Sequence, residues 1–280
     1  MAAKTLIHEH PKDTFQVTIL EKSHRIGGLW PVSKVDDGLV NPDMCVNQSR
    51  HTVNFSDLAW PESSPIFPKA WQVGEYLQRY ITTYPGYEIR TNCEVLKTEL
   101  EGDKWKVHFE DRQSAVPVPQ VLEFDHLIIA SGFFGKAKTP DILKGLQAPI
   151  CHSSQFRDVK SLLGSEPRAG RRIVVVGGQM SGVETAASIA SQLSSETHSV
   201  EKSSIPNVSD YFVTNVVQKP FWVMPLLFPM NPSVEIEVSG NKGKVYTSPD
   251  RSLSHANLFI ENQSFSVVSA FGSHCLQPGC

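Results

Sequence analysis

Apolar positions repeat with two different periods in the first part of the chain. Between residues 71 and 84 they recur every three or four positions, which predicts a helix packed through one face. Between residues 105 and 109 they alternate with polar residues, which predicts a half-buried strand, and residues 94–100 predict its neighbour. Shorter patterns predict a helix over residues 2–10 and a strand over residues 15–20.

Two continuous apolar runs, residues 127–130 and 172–176, predict strands that are buried on both faces. The second run leads directly into a glycine turn and then into a helical pattern over residues 183–193. Residues 211–218 predict the next strand. This order of strand, glycine turn, helix and strand is that of a dinucleotide-binding βαβ unit.

The turn at residues 177–182 carries the chemistry of such a unit. Gly177 and Gly182 match the first and third glycines of the G-x-G-x-x-G pattern, and Gln179 replaces the second. Glycines let the backbone approach a pyrophosphate, and the helix N-terminus adds partial positive charge. A tight turn in which glycine serves only packing is the alternative. The candidate nucleotide-binding residues are Gly177, Gly178, Ser181, Gly182 and Glu184.

Two charged residues stand at strand ends. Lys219 follows the strand predicted over residues 211–218, and a cation there suits the 2′-phosphate of NADP; a solvated strand-end charge is the alternative. Glu21 ends an earlier strand, where its carboxylate can accept hydrogen bonds from ribose hydroxyls. In a βαβ unit such an acid lies about 20 residues after the glycine turn. We therefore expect the chain to lack its true beginning, including that turn.

Composition and charge exclude several classes of protein. The 280 residues contain 26 Lys and Arg against 29 Asp and Glu, a net charge of −3 with no basic stripe, which argues against nucleic-acid binding. No apolar run is long enough to span a membrane, and we expect a cytoplasmic protein. Five scattered cysteines, including Cys275 and Cys280, fit reduced thiols, and no metal site is predicted.

Several motifs, taken in order, resemble those of the flavin-containing monooxygenases, which are class B flavoprotein monooxygenases. Residues 19–30 are similar to the family's acid followed by a Gly-Gly-x-Trp turn against FAD. Residues 46–57 and 125–132 resemble its Thr-Asn … Phe-Ser-Asp segment and its second FAD-contacting strand. Residues 151–157 resemble the end of its F-x-G-x-x-x-H-x-x-x-[YF] signature. The FAD-binding candidates implied are Glu21, Gly27, Gly28, Leu29, Trp30, Asn47, Gln48 and Gly132.

The resemblance implies an α/β fold with two Rossmann-like dinucleotide-binding domains, the NADP domain being inserted into the FAD domain. We expect both ends to be incomplete. We also expect this chain to be a weak or inactive catalyst, because the glycine turn that contacts the FAD phosphates is missing. The expected ranges are 1–140 for a partial FAD domain, 141–170 for a linker, 171–239 for a partial NADP domain and 240–280 for an irregular tail.

The resemblance also implies an activity, namely NADPH- and FAD-dependent insertion of one oxygen atom of O2 into a small soft nucleophile, an amine or a sulfide. Asn47 would be the catalytic residue, with a turn-forming asparagine as the alternative. An inactive truncated paralogue that binds NADP(H) and a flavin-dependent NADPH disulfide oxidoreductase stay open. The disulfide reaction needs a cysteine pair, and only Cys45 lies near the flavin motifs. A homo-oligomer is also left open.

Overall fold

The computed structural model describes residues 1–35, 38–113, 116–132, 134–143, 145–164, 172–201 and 203–219, together with four short strands between residues 228 and 247. The chain forms two compact units. The first comprises Met1–Asp43 and Ala70–Gly145, and the second comprises Met44–Lys69 and Leu146–Cys280 as far as it is described. Helices and strands occur in both units, so the predicted α/β class is confirmed.

The first unit begins with two helices and a small parallel sheet. Helix α1 covers Ala2–His8, strand β1 Thr18–Leu20, helix α2 Ala70–Thr83 and strand β2 Glu88–Arg90. Strands β1 and β2 pair in parallel. The helix predicted at residues 71–84 is confirmed, and the residues it buries include Val73, Tyr76 and Tyr80. The strand predicted over residues 15–20 is shorter than expected because only its last three residues pair.

An antiparallel meander completes the first unit. Its strands are β3 (Cys93–Glu101), β4 (Lys104–Asp111) and β5 (Val118–Phe124), in that spatial order. Val107 and Phe109 of β4 are buried and its other residues are not, so the predicted half-buried strand is confirmed.

The strand predicted over residues 127–130 is wrong. These residues form no strand, and Ile128 and Ile129 are 61% and 76% exposed. An apolar run becomes a buried strand only where a neighbouring strand supplies hydrogen bonds and a packed layer covers it. In the described residues, no strand pairs with this run.

The second unit contains the predicted βαβ unit. Helix α3 covers Val159–Leu163, strand β6 Arg172–Val176, helix α4 Met180–Thr197 and strand β7 Phe212–Val216. Strands β6 and β7 are parallel. The buried core of this unit is formed by Phe156, Val159, Leu163, Ile189, Leu193 and Ile205, and Ile173, Val175 and Val213 of the strands pack against it.

Strand β6 is covered on one face only, so its predicted burial on both faces is wrong. Ile173 and Val175 face the core, whereas Val174 and Val176 are 52% and 61% exposed. Helix α4 packs against both β6 and β7. Among the residues that the structure describes, nothing buries the opposite face.

The remaining described strands form two antiparallel pairs. Strand β8 (Phe228–Pro229) pairs with β11 (Tyr246–Thr247), and β9 (Ile236–Val238) pairs with β10 (Asn241–Gly243). Two of these strands fall in the range expected to be an irregular tail. Residues 44–69 group with the second unit rather than with the rest of residues 1–140. The four domain ranges themselves stay predictions, and Cys275 and Cys280 lie outside the described residues.

Candidate functional site

The chain leaves strand β6 through a sharp turn at Gly177. The Gly177 N–H donates a hydrogen bond of 3.0 Å to the carbonyl of Val216, which continues the parallel ladder by one residue. The φ of Gly177 is +147°, a value that residues with a side chain rarely adopt. The chain then enters α4, with Gln179 at its N-cap position.

The first turn of α4 packs directly on the end of β6. A Cβ atom on Gly182 would lie only 2.3 Å from the carbonyl oxygen of Gly177 and 2.7 Å from its carbonyl carbon. A Cβ atom on Gly178 would lie 3.1 Å from the Cβ of Val217, just beyond β7. The structure therefore brings together the predicted residues of this turn, and glycine is needed there for close packing.

This turn presents backbone donors. In the described part of the chain, the N–H groups of Gly178, Met180 and Ser181 have no hydrogen-bond partner. The first N–H groups of any helix lack intrahelical acceptors, and the helix dipole places partial positive charge beside them. A cradle of glycine backbone with unpaired donors matches the pyrophosphate of a dinucleotide in shape and charge.

Gln179 departs from the glycine pattern without disturbing the turn. Its backbone is extended, with φ −92° and ψ 177°, and its side chain is exposed and makes no cap hydrogen bond. Its carbonyl accepts hydrogen bonds from the N–H groups of Gly182 and Val183 at 3.0 and 3.1 Å. A side chain at this position is therefore accommodated by the fold.

Two further candidates lie near this turn in the sequence. Glu184 is half-buried in α4, and burial raises the pKa of its carboxyl above its ordinary value of 4.5. Lys219 is exposed and follows the last residue of β7, Val216, by three positions. Its ammonium group is therefore accessible to a ligand.

Sequence reasoning missed Asn215 of β7. Its Nδ2 donates hydrogen bonds of 3.0 Å to the carbonyl of Val175 and of 3.0 Å to the carbonyl of Gly177. The signal was present in the strand, because Asn215 shares the covered face with Val213 and a polar residue there must find partners.

In the first unit, Glu21 directly follows β1. Its backbone extends the pairing, since its N–H donates to Arg90 and its carbonyl accepts from Cys93, both at 2.9 Å. One carboxylate oxygen, Oε1, accepts a 2.8 Å hydrogen bond from the Ser23 N–H. A carboxylate at the carboxyl end of a parallel strand is in a place where ribose hydroxyls are bound.

The predicted Gly-Gly-x-Trp turn lies in the same unit as Glu21. Gly27 and Gly28 have φ values of +109° and +59°, and the Trp30 N–H closes the turn on the Gly27 carbonyl at 3.2 Å. Leu29 and Trp30 are half-buried. Gly132, with φ +66°, is exposed at the end of the run that forms no strand.

Asn47 and Gln48 belong to the second unit, whereas Glu21 belongs to the first. Both are exposed, whereas the next residue, Ser49, is fully buried. The Nη1 of Arg50 lies within hydrogen-bond distance of three carbonyl oxygens of the following loop, those of Pro61, Glu62 and Ser64, at 3.1, 2.6 and 2.6 Å. These contacts attach the Arg50 side chain to the following loop, and the nearby Asn47 and Gln48 are exposed to solvent.

The segment at residues 151–157 contains one turn of 3-10 helix, Ser153–Gln155, with His152 at its N-cap position. His152 Nδ1 accepts a 3.2 Å hydrogen bond from the Ser154 N–H, and the Gln155 side-chain oxygen accepts from the His152 N–H at 3.4 Å. Because Nδ1 accepts the Ser154 N–H, the His152 side chain stabilises the start of this turn and has a structural role in the second unit.

Three further features of the described residues concern metal ligands, cysteines and membrane-spanning helices. No cluster of three metal-ligating side chains occurs there. Cys45, Cys93 and Cys151 are free thiols, and Cys93 is buried. None of the described helices is both long and apolar enough to cross a membrane.

Comparisons with known proteins agree with this geometry. A family model described as pyridine nucleotide-disulphide oxidoreductase matches residues 37–260. A thiol-specific monooxygenase of Saccharomyces cerevisiae is 26% identical over 195 residues, which are 68% of this chain and 43% of that protein. A flavin-containing monooxygenase, FMO GS-OX-like 6 of Arabidopsis thaliana, is 28% identical over 214 residues. The match covers 67% of this chain and 43% of that protein.

Solved structures extend the likeness to the fold. The flavin-containing monooxygenase from Stenotrophomonas maltophilia has a TM-score of 0.54 at 16% identity, covering 75% of this chain and 59% of that one. The resemblance to flavin monooxygenases found in the sequence is thus confirmed, and the chain spans less than half the length of the two curated relatives. Because the family model matches most of its residues, the chain belongs to the pyridine nucleotide-disulphide oxidoreductase family.

Proposed function

We propose that this protein is an NADPH- and FAD-dependent monooxygenase that inserts one atom of O2 into a soft nucleophile, an amine or a sulfide. The observation that carries the proposal is the glycine turn between β6 and α4, where Gly182 packs against the Gly177 carbonyl and backbone N–H groups lack partners. The names of the relatives support the reaction class, and the thiol-specific relative supports a sulfur nucleophile.

Each group of residues has a part in this proposal. The turn at residues 177–182 binds the NADPH pyrophosphate, and Lys219 pairs with the 2′-phosphate. Glu21 accepts hydrogen bonds from the FAD ribose, while residues 27–30 pack beside that cofactor. Bound FAD and NADPH supply the redox chemistry, and the protein orients them and excludes water. Asn47 donates a hydrogen bond at the reacting centre.

The test uses the full chain with excess FAD, NADPH and 18O2, and thioanisole and N,N-dimethylaniline as substrate probes. We expect NADPH-dependent sulfoxide or N-oxide that carries one 18O atom. The Gly182→Ala variant, measured below its melting temperature, should lose this activity, because the added methyl group displaces the turn that is proposed to bind NADPH.

Two other outcomes would contradict the proposal. NADPH oxidation that reduces an aromatic disulfide and disappears in Cys45→Ser would identify a disulfide oxidoreductase. NADPH binding without any oxidation, with FAD in excess, would identify a dinucleotide-binding protein without catalysis. The cytoplasmic location and the oligomeric state stay predictions.

A further inference from the structure

Asn215 ties the glycine turn to strand β7. Its Nδ2 lies 3.0 Å from the carbonyl oxygens of both Val175 and Gly177, so one amide group spans the end of β6 and the first residue of the turn. The neighbouring residues of β7 add to the attachment. The Val216 carbonyl accepts a hydrogen bond from the Gly177 N–H. Val217 packs so closely against Gly178 that a Cβ on Gly178 would lie 3.1 Å from the Val217 Cβ.

The hydrogen bond from Asn215 to the Gly177 carbonyl also fixes the direction of the neighbouring Gly178 N–H. The peptide between Gly177 and Gly178 is planar and trans, since the described chain contains no cis peptide bond. Its N–H, which belongs to Gly178, therefore points away from the carbonyl that Asn215 holds. That N–H has no partner among the described residues. Rotation of this peptide would move the Gly177 oxygen out of the contact with Gly182 and re-aim the Gly178 N–H.

We propose that Asn215 is a positioning residue for the dinucleotide pyrophosphate, acting through the Gly177–Gly178 peptide without touching the ligand. The inference rests on the proposed function, because it assigns a role within the same NADPH site. It deepens that proposal by naming the part of the ligand that is affected. Ligands with a pyrophosphate should depend on Asn215, and ligands with only the adenosine half should not.

The experiment compares the full wild-type chain with Asn215→Leu, which keeps the size of the side chain but cannot donate. Asn215→Ala is a second variant in case leucine prevents folding, and Asn215→Gln retains the amide donor for rescue. Thr214→Ala is the matched control, because Thr214 lies on the exposed face of the same strand. Equilibrium titrations use two probes, NADP+ and adenosine 2′-monophosphate, and thermal unfolding monitors the fold.

We expect Asn215→Leu and Asn215→Ala to weaken NADP+ binding by about tenfold or more, the equivalent of one charge-assisted hydrogen bond. Binding of adenosine 2′-monophosphate should change less than about twofold on the same scale, and Asn215→Gln should recover part of the NADP+ affinity. An equal loss for both probes would show a merely structural residue and overturn the proposal. Unchanged NADP+ affinity in both variants would overturn it as well. A wild-type chain that binds no NADP+ would overturn the proposed function itself, and the positioning role with it.

Discussion

Replacing Gly182 by alanine places a methyl group in the space between helix α4 and strand β6. The added Cβ would lie 2.3 Å from the Gly177 oxygen, and ordinary contact begins at 3.4 Å, so the atoms must separate by 3.4 − 2.3 = 1.1 Å. Both partners are backbone, so no flexible side chain can swing aside. Overpacking of this kind costs about 1–3 kcal/mol of folding free energy.

The same displacement acts on the ligand. A shift of about 1 Å moves the Gly178 N–H and the first N–H groups of α4 relative to a bound pyrophosphate. Each charge-assisted hydrogen bond contributes about 1.5–3 kcal/mol, and each 1.4 kcal/mol is a tenfold change in affinity. We therefore expect the Kd for NADPH to rise by about 10- to 100-fold in Gly182→Ala.

The assay is a fluorescence titration of NADPH with the full chain, accompanied by thermal unfolding. Gly135→Ala is the control, because a Cβ on Gly135 meets nothing within 4 Å and should leave both measurements nearly unchanged. Wild-type affinity and an unchanged melting temperature in Gly182→Ala would refute the close packing and the ligand site inferred from it.

Three further changes test other parts of the account. Lys219→Glu should weaken NADPH at least tenfold and leave NADH nearly unchanged, as titrations of both nucleotides would show; equal losses would contradict a 2′-phosphate contact. Glu184→Gln should stabilise the fold at neutral pH, because burial raises the carboxyl pKa and the native state resists its ionisation. Its advantage in unfolding experiments should grow as pH rises above 4.5 and vanish below it, and a constant difference would argue against titration of this group. Asp158→Ala removes the carboxylate that accepts the Ser161 N–H at the start of α3 and should cost about 1 kcal/mol in chemical denaturation, whereas Ser204→Ala, at an exposed position, serves for comparison.

The local elements were predictable from the sequence. The apolar positions repeat along one face of α2 and alternate along β4, and in both elements this local pattern indicates which side is buried. The order of β6, glycine turn, α4 and β7 was also predictable, because a tight strand-to-helix turn restricts which residues fit.

Features that depend on distant parts of the chain were not predictable. The run at residues 127–130 and the outer face of β6 are apolar, yet their burial depends on neighbours that a local pattern does not reveal. Arg50 and Asn215 owe their roles to carbonyls that are 11 to 14 and 38 to 40 residues away, respectively. The assignment of Asn47 and Glu21 to different units likewise follows from contacts rather than from sequence order.

The most direct test of the account is an equilibrium titration of the full chain with NADPH, and with NADH for comparison. We predict saturable binding of one NADPH per chain, at least tenfold tighter than NADH and weakened by Gly182→Ala. No saturable NADPH binding would contradict a dinucleotide site at the glycine turn, and with it the proposed monooxygenase function.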